Sequence, residues 1–531
     1  MTTKYLNITL LLLPNQLFST EILAKLLAPY TNNLQKCKVN IIMLEHPVYF
    51  GMRKPYGQMR FNKLKLLYQM ATTRYYIEEA ISNSKSLPFI LGNVTYITNK
   101  EKWYPHLVKQ IKANKCEALF YFDPVDVLIS KEYVFMTAKM DAHHPCIELS
   151  NPGFINTKTD LAEYHATKKN AESFFHAGFY QYQRTKLVDS ISLTGTKTYD
   201  TENRNKMPLT VTVPELPEHD NTNPAVKRIL QNVSNQIAKH RVWSSFPGSC
   251  EPNMLKFPIT PETSAKWLTH FCRDKLNNFG KYQDAIDGQG RNFLFHSCIS
   301  PMLNTGLLTP MQVITTVRDY YVAHKAAIPI AAYEGFIRQV IGWREYQRYI
   351  YIYAGDKMRN SNIFNNGAKL SEAWYTGTTG IQPVDDGIIM AFRDGYLHHI
   401  LRLMVMGNIM NLVGIHPHDV YKWFMEFSLD SYDWVMIGNV YSMALWADGG
   451  LTMRKPYFSS SAYILKMSTY KKGAWCETWD NLFHGFIDRN SDQLSKTYYA
   501  GLVRAWKKKS MSHKSNVTTN VKHVIDQLTH S

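Results

Sequence analysis

The sequence predicts an α/β domain with a parallel sheet followed by a large all-α domain, and three observations carry that expectation. Short apolar runs alternate with amphipathic stretches from Tyr5 to about Val134, a Pro-, Asn- and Thr-rich stretch lies between about Thr194 and Glu262, and beyond it the apolar spacing is almost wholly helical. A chain of 531 residues is also too long for one ordinary core. The expected division is an α/β domain over 1–193, an interdomain crossing over 194–262 and a helical domain over 263–531 ending in a basic tail.

The runs LNITLLLL, KVNIIML and EALFYF read as buried strands, with a helix from Met59 to Ile81 among them. The apolar stretch Ile8 to Leu13 is too short for a signal sequence or a membrane span. The turn after it, Pro14-Asn15-Gln16, lacks G-x-G-x-x-G, so the usual dinucleotide fingerprint is absent. One helix near Ala225 to His240 interrupts the crossing, and further helices are expected over Ala265–Leu276, Met311–His324 and Asp394–Leu412. The tail from Trp506, WKKKSMSHKSN, reads as a solvated basic segment.

Sixty Lys and Arg against 43 Asp and Glu leave a formal charge of +17, which attracts polyanions without choosing among them. Seven cysteines are scattered without any C-x-x-C pair, which argues against a zinc ribbon or a disulfide framework and for a reducing compartment; the expected location is the cytoplasm, at the nucleoid if the cell is bacterial. Neither a membrane partner nor a metal site is expected, and the chain is expected to act as a monomer.

Three segments could carry chemistry. In His296-Ser297-Cys298-Ile299-Ser300, hydroxyls and backbone N–H groups at a helix start suit a diphosphate, although a simple N-cap would look the same. The stretch from Glu334 to Tyr346 brings Gln339, Trp343 and Tyr346 toward one helix face, as a purely structural helix also could. The run from Tyr396 to Asn408 sets His398, His399 and Arg402 in an apolar helix, where such groups need partners. Adjacent histidines point about 100° apart on a helix and do not chelate one metal, so a proton donor and a cofactor contact fit better. Asp430 is a partner for Arg402, and such a pair can hold a nitrogen-rich ring.

Six ordered blocks, FGKYQDAI (279–286), HSCISPMLNTGLL (296–308), EGFIRQVIGWREY (334–346), YLHHILRLMVMGN (396–408), MALWADGG (443–450) and KPYFSSSAYILKMSTY (455–470), resemble the photolyase/cryptochrome superfamily. The likeness is to its bacterial iron-sulfur branch, which includes the prokaryotic (6-4) photolyases. LLLLPNQL and the linker phrase YDTENRNKMP (199–208) resemble the same family in the first half. The resemblance implies an antenna-type α/β domain and a helical domain that cradles FAD. It implies Ser297 and Ser300 at the FAD diphosphate, Gln339, Trp343 and Arg344 lining the flavin pocket, and His398, Arg402, Asp430 and Asn439 around the isoalloxazine. It further implies His399 as proton donor to a (6-4) lesion, Tyr457 and Tyr463 against the flipped lesion, and Trp423, Tyr432 and Tyr375 in the photoreduction relay. A 6,7-dimethyl-8-ribityllumazine antenna, with Asn15 and Glu45 near its pocket, is implied as well.

The sequence departs from the family pattern at identifiable positions. Pro383, Lys471 and Ala474 stand where cluster cysteines belong and Cys476 alone remains, so an iron-sulfur cluster, which needs four thiolates, is not expected. Met436 replaces a glutamate near the flavin and Phe424 replaces a relay tyrosine. The expected function is blue-light-driven repair of (6-4) photoproducts in UV-damaged DNA, with the lesion flipped into the pocket and His399 chosen as acid because an imidazole titrates near neutrality. The alternatives are a cryptochrome-like photoreceptor and a cyclobutane pyrimidine dimer photolyase.

Overall fold

The computed structural model describes residues 4–84, 86–98, 102–140, 144–195, 198–200, 203–217 and 223–530; Thr201 and Glu202 of the linker phrase lie outside the described residues. The chain forms two compact units. One comprises Met1–Asp160, Pro217–Thr269 and Ile299–Thr316, the other Leu161–Leu216, His270–Cys298 and Val317–Ser531.

The first unit is built on a five-stranded parallel sheet of β1 (Asn7–Leu12), β2 (Lys38–Leu44), β3 (Ile90–Ile97), β4 (Ala118–Phe122) and β5 (Cys146–Leu149). Its order is β3-β2-β1-β4-β5, with Asn7 opposite Lys38 and Ile8 opposite Ala118. The central strands are buried almost throughout, which is why they read as unbroken apolar runs rather than alternating ones. The helix Lys63–Tyr75 continues into a π-helical turn, Tyr76–Ser82, and packs against the helix Pro224–Lys239. Arg228 of the latter helix pairs with Glu78 at 3.0 Å and Glu79 at 2.9 Å.

Chain order reverses between β1 and β4, and in open α/β sheets the carboxyl ends of the strands at such a point form the ligand crevice. Asn15 lies there and accepts a hydrogen bond from Tyr49 Oη at 3.0 Å, while Glu45 lies buried just past β2. Gln16 closes the turn after β1 by accepting from the Leu13 N–H, so a side chain does what a glycine loop would otherwise do.

The second unit is helical. Four π-helical turns, Phe271–Lys275, Arg338–Arg344, Leu401–Gly407 and Ile437–Ala444, interrupt its helices. Two expectations need correction. Asp394–Leu412 is not one helix: Gln382–Asp394 ends at Gly395, whose φ is +61°, and a β-carbon there would lie 1.9 Å from Leu429 Cδ1. The tail is not merely solvated, because Trp506 is buried and donates to Asp488 at 2.6 Å. Val517, Val521 and Leu528 of the helix Met511–Leu528 are also buried, and the Leu528 carbonyl accepts from the Trp374 indole at 2.8 Å. A polar tract with apolar residues at helical spacing looks solvated in composition and still docks by one face. Among the described residues no helix is long and apolar enough to cross a membrane.

Candidate functional site

The break at Gly395 builds the site. Residues 396–398 run non-helically, held where Asn292 donates to the Asp394 carboxylate at 3.1 Å and to the Tyr396 carbonyl at 2.5 Å. His398 is thereby turned into the interior instead of lying on a helix face, which corrects the picture of two histidines on one helix. Its ring is fully buried and stacks on His296, with centroids 4.6 Å apart and planes 12° from parallel. Among the described residues, neither ring nitrogen of His398, nor Nε2 of His296, has a hydrogen-bond partner. Burial, with the positive charge around each ring adding to it, pushes the His296 pKa down to about 3 and that of His398 well below the ordinary imidazole value.

His399 follows at the start of the next helical segment and is exposed. Although water reaches it, the protein crowded around the ring lowers its pKa, and the Arg402 cation lowers it further. In the chain by itself His399 is thus biased toward the neutral imidazole. Arg402 rides on the π-turn Leu401–Gly407 and makes a bidentate pair with Asp430, at 2.9 and 3.1 Å. Its Nε donates to the Leu397 carbonyl at 2.6 Å, and its guanidinium lies 5.3 Å from the Tyr396 ring centroid. The positions 296, 398, 399, 402 and 430 thus form one cluster.

The other expected pocket residues have their own surroundings. Trp343 stacks on His176 at 3.9 Å, Gln339 donates to the Gly335 carbonyl at 3.1 Å, and Arg344 lies 4.9 Å over Trp434, its pKa pushed down to about 10 by burial. Asn439 donates to the Val435 carbonyl at 2.7 Å. Gln339, Trp343, Arg344, Arg402 and Asn439 all sit on π-helical turns, a feature frequent at functional sites because the extra residue re-aims the side chains. Ser297 belongs to the second unit and Ser300 to the first, where Ser300 opens a six-residue helix whose N-cap is Ile299.

Tyr457 and Tyr463 are half-buried beside Arg204 and Asp284, and burial raises both phenol pKa values. Trp423 is fully buried, donates to the Trp374 carbonyl at 2.8 Å and is ringed by Phe424, Phe427 and Phe392. Tyr432 is buried, and Tyr375 donates to Glu426 at 2.7 Å. Lys471 and Ala474 are exposed while Pro383 and Cys476 are buried. Among the described residues, no group of three or more His, Cys, Asp or Glu could hold a metal ion.

The sequence reading passed over His296, His176 and the Arg204–Asp284 pair. His296 opens the block that was read for its hydroxyls, so its type was in view; its stacking across about a hundred residues of chain was not. The orphaned nitrogens of His398 and His296 beside a charged fork fit a planar ring that offers both donors and acceptors, as an isoalloxazine does.

Residues 11–245 match the family of deoxyribodipyrimidine photo-lyase-related proteins, and residues 334–522 match the FAD binding domain of DNA photolyase. A (6-4) photolyase of Agrobacterium fabrum is 37% identical over 257 residues, 46% of this chain and 49% of that protein, so the chain spans about half the length of that relative. A protein of Acanthamoeba polyphaga mimivirus is 56% identical over 112 residues, 20% of this chain and 91% of its own length. The crystal structure of a bacterial class III photolyase from Agrobacterium tumefaciens has a TM-score of 0.56 at 13% identity, covering 99% of this chain and 97% of that one.

A parallel-sheet unit and a helical unit carrying a flavin-binding domain define the class. The chain belongs to the photolyase/cryptochrome superfamily.

Proposed function

We propose that the protein repairs (6-4) pyrimidine-pyrimidone photoproducts in DNA, using blue light and noncovalently bound FAD. The observation that carries this reading is the exposed His399 next to the buried His398 and the Arg402–Asp430 pair: a group open to substrate adjoins groups suited to a cofactor. The (6-4) photolyase relative adds weight.

FAD, when bound, supplies the light-excited electron donor. Within the second unit, Ser297, Gln339, Trp343, Arg344, His398, Arg402, Asp430 and Asn439 would hold it. Arg402, oriented by its two bonds to Asp430, keeps a positive charge at the pocket and favours negative charge on a bound ring. His399 delivers a proton to the lesion. Desolvation by the surrounding protein and the Arg402 cation lower its pKa in the chain by itself, and an anionic group brought beside it would raise that pKa again, because an anion favours the imidazolium. Tyr457 and Tyr463 supply aromatic walls for a base flipped from the duplex, and the charge of +17 favours the polyanion.

The same reading gives the first unit a 6,7-dimethyl-8-ribityllumazine antenna near Asn15 and Glu45, and gives the protein no iron-sulfur cluster, since Pro383, Lys471 and Ala474 offer no thiolate. Metal analysis of purified protein tests the latter: about four irons per chain would refute it.

Illumination of reduced protein with oligonucleotides carrying either a (6-4) photoproduct or a cyclobutane dimer tests the main claim. Restoration of the (6-4) oligonucleotide is expected; restoration of the dimer alone would reassign the lesion, and of neither would favour a photoreceptor. His399→Ala is expected to lower (6-4) repair by about 10²- to 10⁴-fold, the usual worth of a positioned proton donor, with flavin absorbance and DNA affinity unchanged.

A further inference from the structure

Trp343 begins a row of oxidisable rings that leads away from the expected flavin pocket. Its ring centroid lies 5.8 Å from that of Tyr346, Tyr346 lies 6.5 Å from Tyr349, and Tyr349 lies 5.3 Å from Tyr353. The row exists because the π-turn Arg338–Arg344 runs directly into the helix Glu345–Arg359, which stacks residues three and four apart on one side. Tyr346 and Tyr349 are each 1% exposed, whereas Tyr353 is half-buried, so the row passes from interior to surface.

The phenols differ in what they touch. Tyr346 Oη donates to backbone carbonyls, of Phe174 and, at 3.4 Å, of Thr452; a carbonyl does not take a proton. Tyr349 Oη lies 2.8 Å from Nδ1 of His165 and accepts from Lys168 Nζ at 3.2 Å. An ammonium only donates, so the phenol proton is left to point at the imidazole. His165 also stacks on Tyr353 at 4.0 Å and is itself half-buried. Burial and the nearby Lys168 lower its pKa, which keeps the ring neutral and able to accept.

The relay expected from the family resemblance looks different here. Trp423 has Phe392 at 6.1 Å, Phe424 at 5.3 Å and Phe427 at 4.7 Å among its ring neighbours, and a phenylalanine ring is not readily oxidised.

We propose that Tyr349 and His165 form a redox-active tyrosine–imidazole pair that ends an electron-supply route to the flavin through Trp343 and Tyr346. This rests on the flavin reading above. Bound FAD would supply the light-generated oxidant there; Trp343 would give up one electron and be refilled through Tyr346 from Tyr349. Tyr349 gives up that electron together with its proton, which moves to His165 Nδ1, leaving a neutral tyrosyl radical and an imidazolium. The imidazolium passes its proton to water. A soluble thiolate then returns an electron by way of Tyr353, and a proton from water restores the phenol.

Blue light on the FAD-loaded, oxidised protein, followed by electron paramagnetic resonance and transient absorption, tests the pair without reference to repair. A long-lived tyrosyl radical is expected. Tyr349→Phe, which keeps the ring, should abolish it, and Trp423→Phe should leave it in place. His165→Ala should shorten the radical's life by about a hundredfold, the scale of losing a positioned proton acceptor, and remove its solvent deuterium isotope effect. An unchanged radical in Tyr349→Phe, or its loss in Trp423→Phe, overturns the inference while the function stands. Protein that retains no flavin overturns both.

Discussion

Two polar clusters of the site, Arg402–Asp430 and His296–His398, are buried in opposite ways. In the first, Nη1 and Nη2 of the guanidinium each meet a carboxylate oxygen, and Nε meets a carbonyl. In the second, the rings stack well while three of their nitrogens bond to nothing. A satisfied charged pair is compatible with a purely structural role. Orphaned buried nitrogens cost about 1–3 kcal/mol each and offer the fold nothing in return, so their presence points to a ligand. The difference separates residues that hold the pocket from residues that await what it holds.

The largest effect that would sharpen this contrast comes from breaking the satisfied pair. Asp430→Ala strands the Arg402 charge and is expected to lower the unfolding free energy by about 3–5 kcal/mol, read from the denaturant midpoint at constant slope. Arg402→Met combined with Asp430→Leu should recover most of that loss, since removing both charges leaves no orphan. A single variant as stable as the parent would show that the pair is not holding the pocket.

The histidine pair should respond with the opposite sign. His398→Leu is expected to stabilise the flavin-free protein by about 1–3 kcal/mol while weakening FAD binding, because it removes unpaired polar atoms that only a ligand satisfies. Destabilisation of the flavin-free protein would break the comparison.

A further effect, graded with pH, appears in acid. The folded-state pKa of His296 is pushed down to about 3 and that of His398 lies well below its unfolded value of about 6.5, so below that pH the unfolded chain binds protons that the folded chain refuses. Stability is then complete above about pH 6.5 and falls as the pH drops, by about 1.4 kcal/mol per unit for each imidazole. Replacing both rings by leucine should flatten that slope without removing it, because His176, also pushed down to about 3, still contributes. An unchanged slope would mean that the two rings charge freely in the folded state.

Several features could be read before any coordinates. The strands β1, β2 and β4 are buried on both faces, so their apolar runs stand out in one dimension. The need of Arg402 for a carboxylate follows from the cost of burying a charge, and Asp430 is the partner that the sequence suggests. The turn at Gly395 was missed because apolar spacing continues across it, and glycine inside a helical pattern does not by itself announce a left-handed cap. Trp506 was misjudged because its neighbours are lysines, and composition outweighed one aromatic ring.

By itself the sequence determined the layered character of the two units, the types of side chain available for chemistry and the absence of thiolates at three positions, because these depend on residue identity and short-range periodicity. Tertiary structure decided which of those side chains meet. The His296–His398 stack, the outward turn of His399 beside it, and the Tyr349–His165 bond all join residues far apart in the chain or across a backbone break. Such contacts arise from the packing of whole helices, whose register no local pattern records.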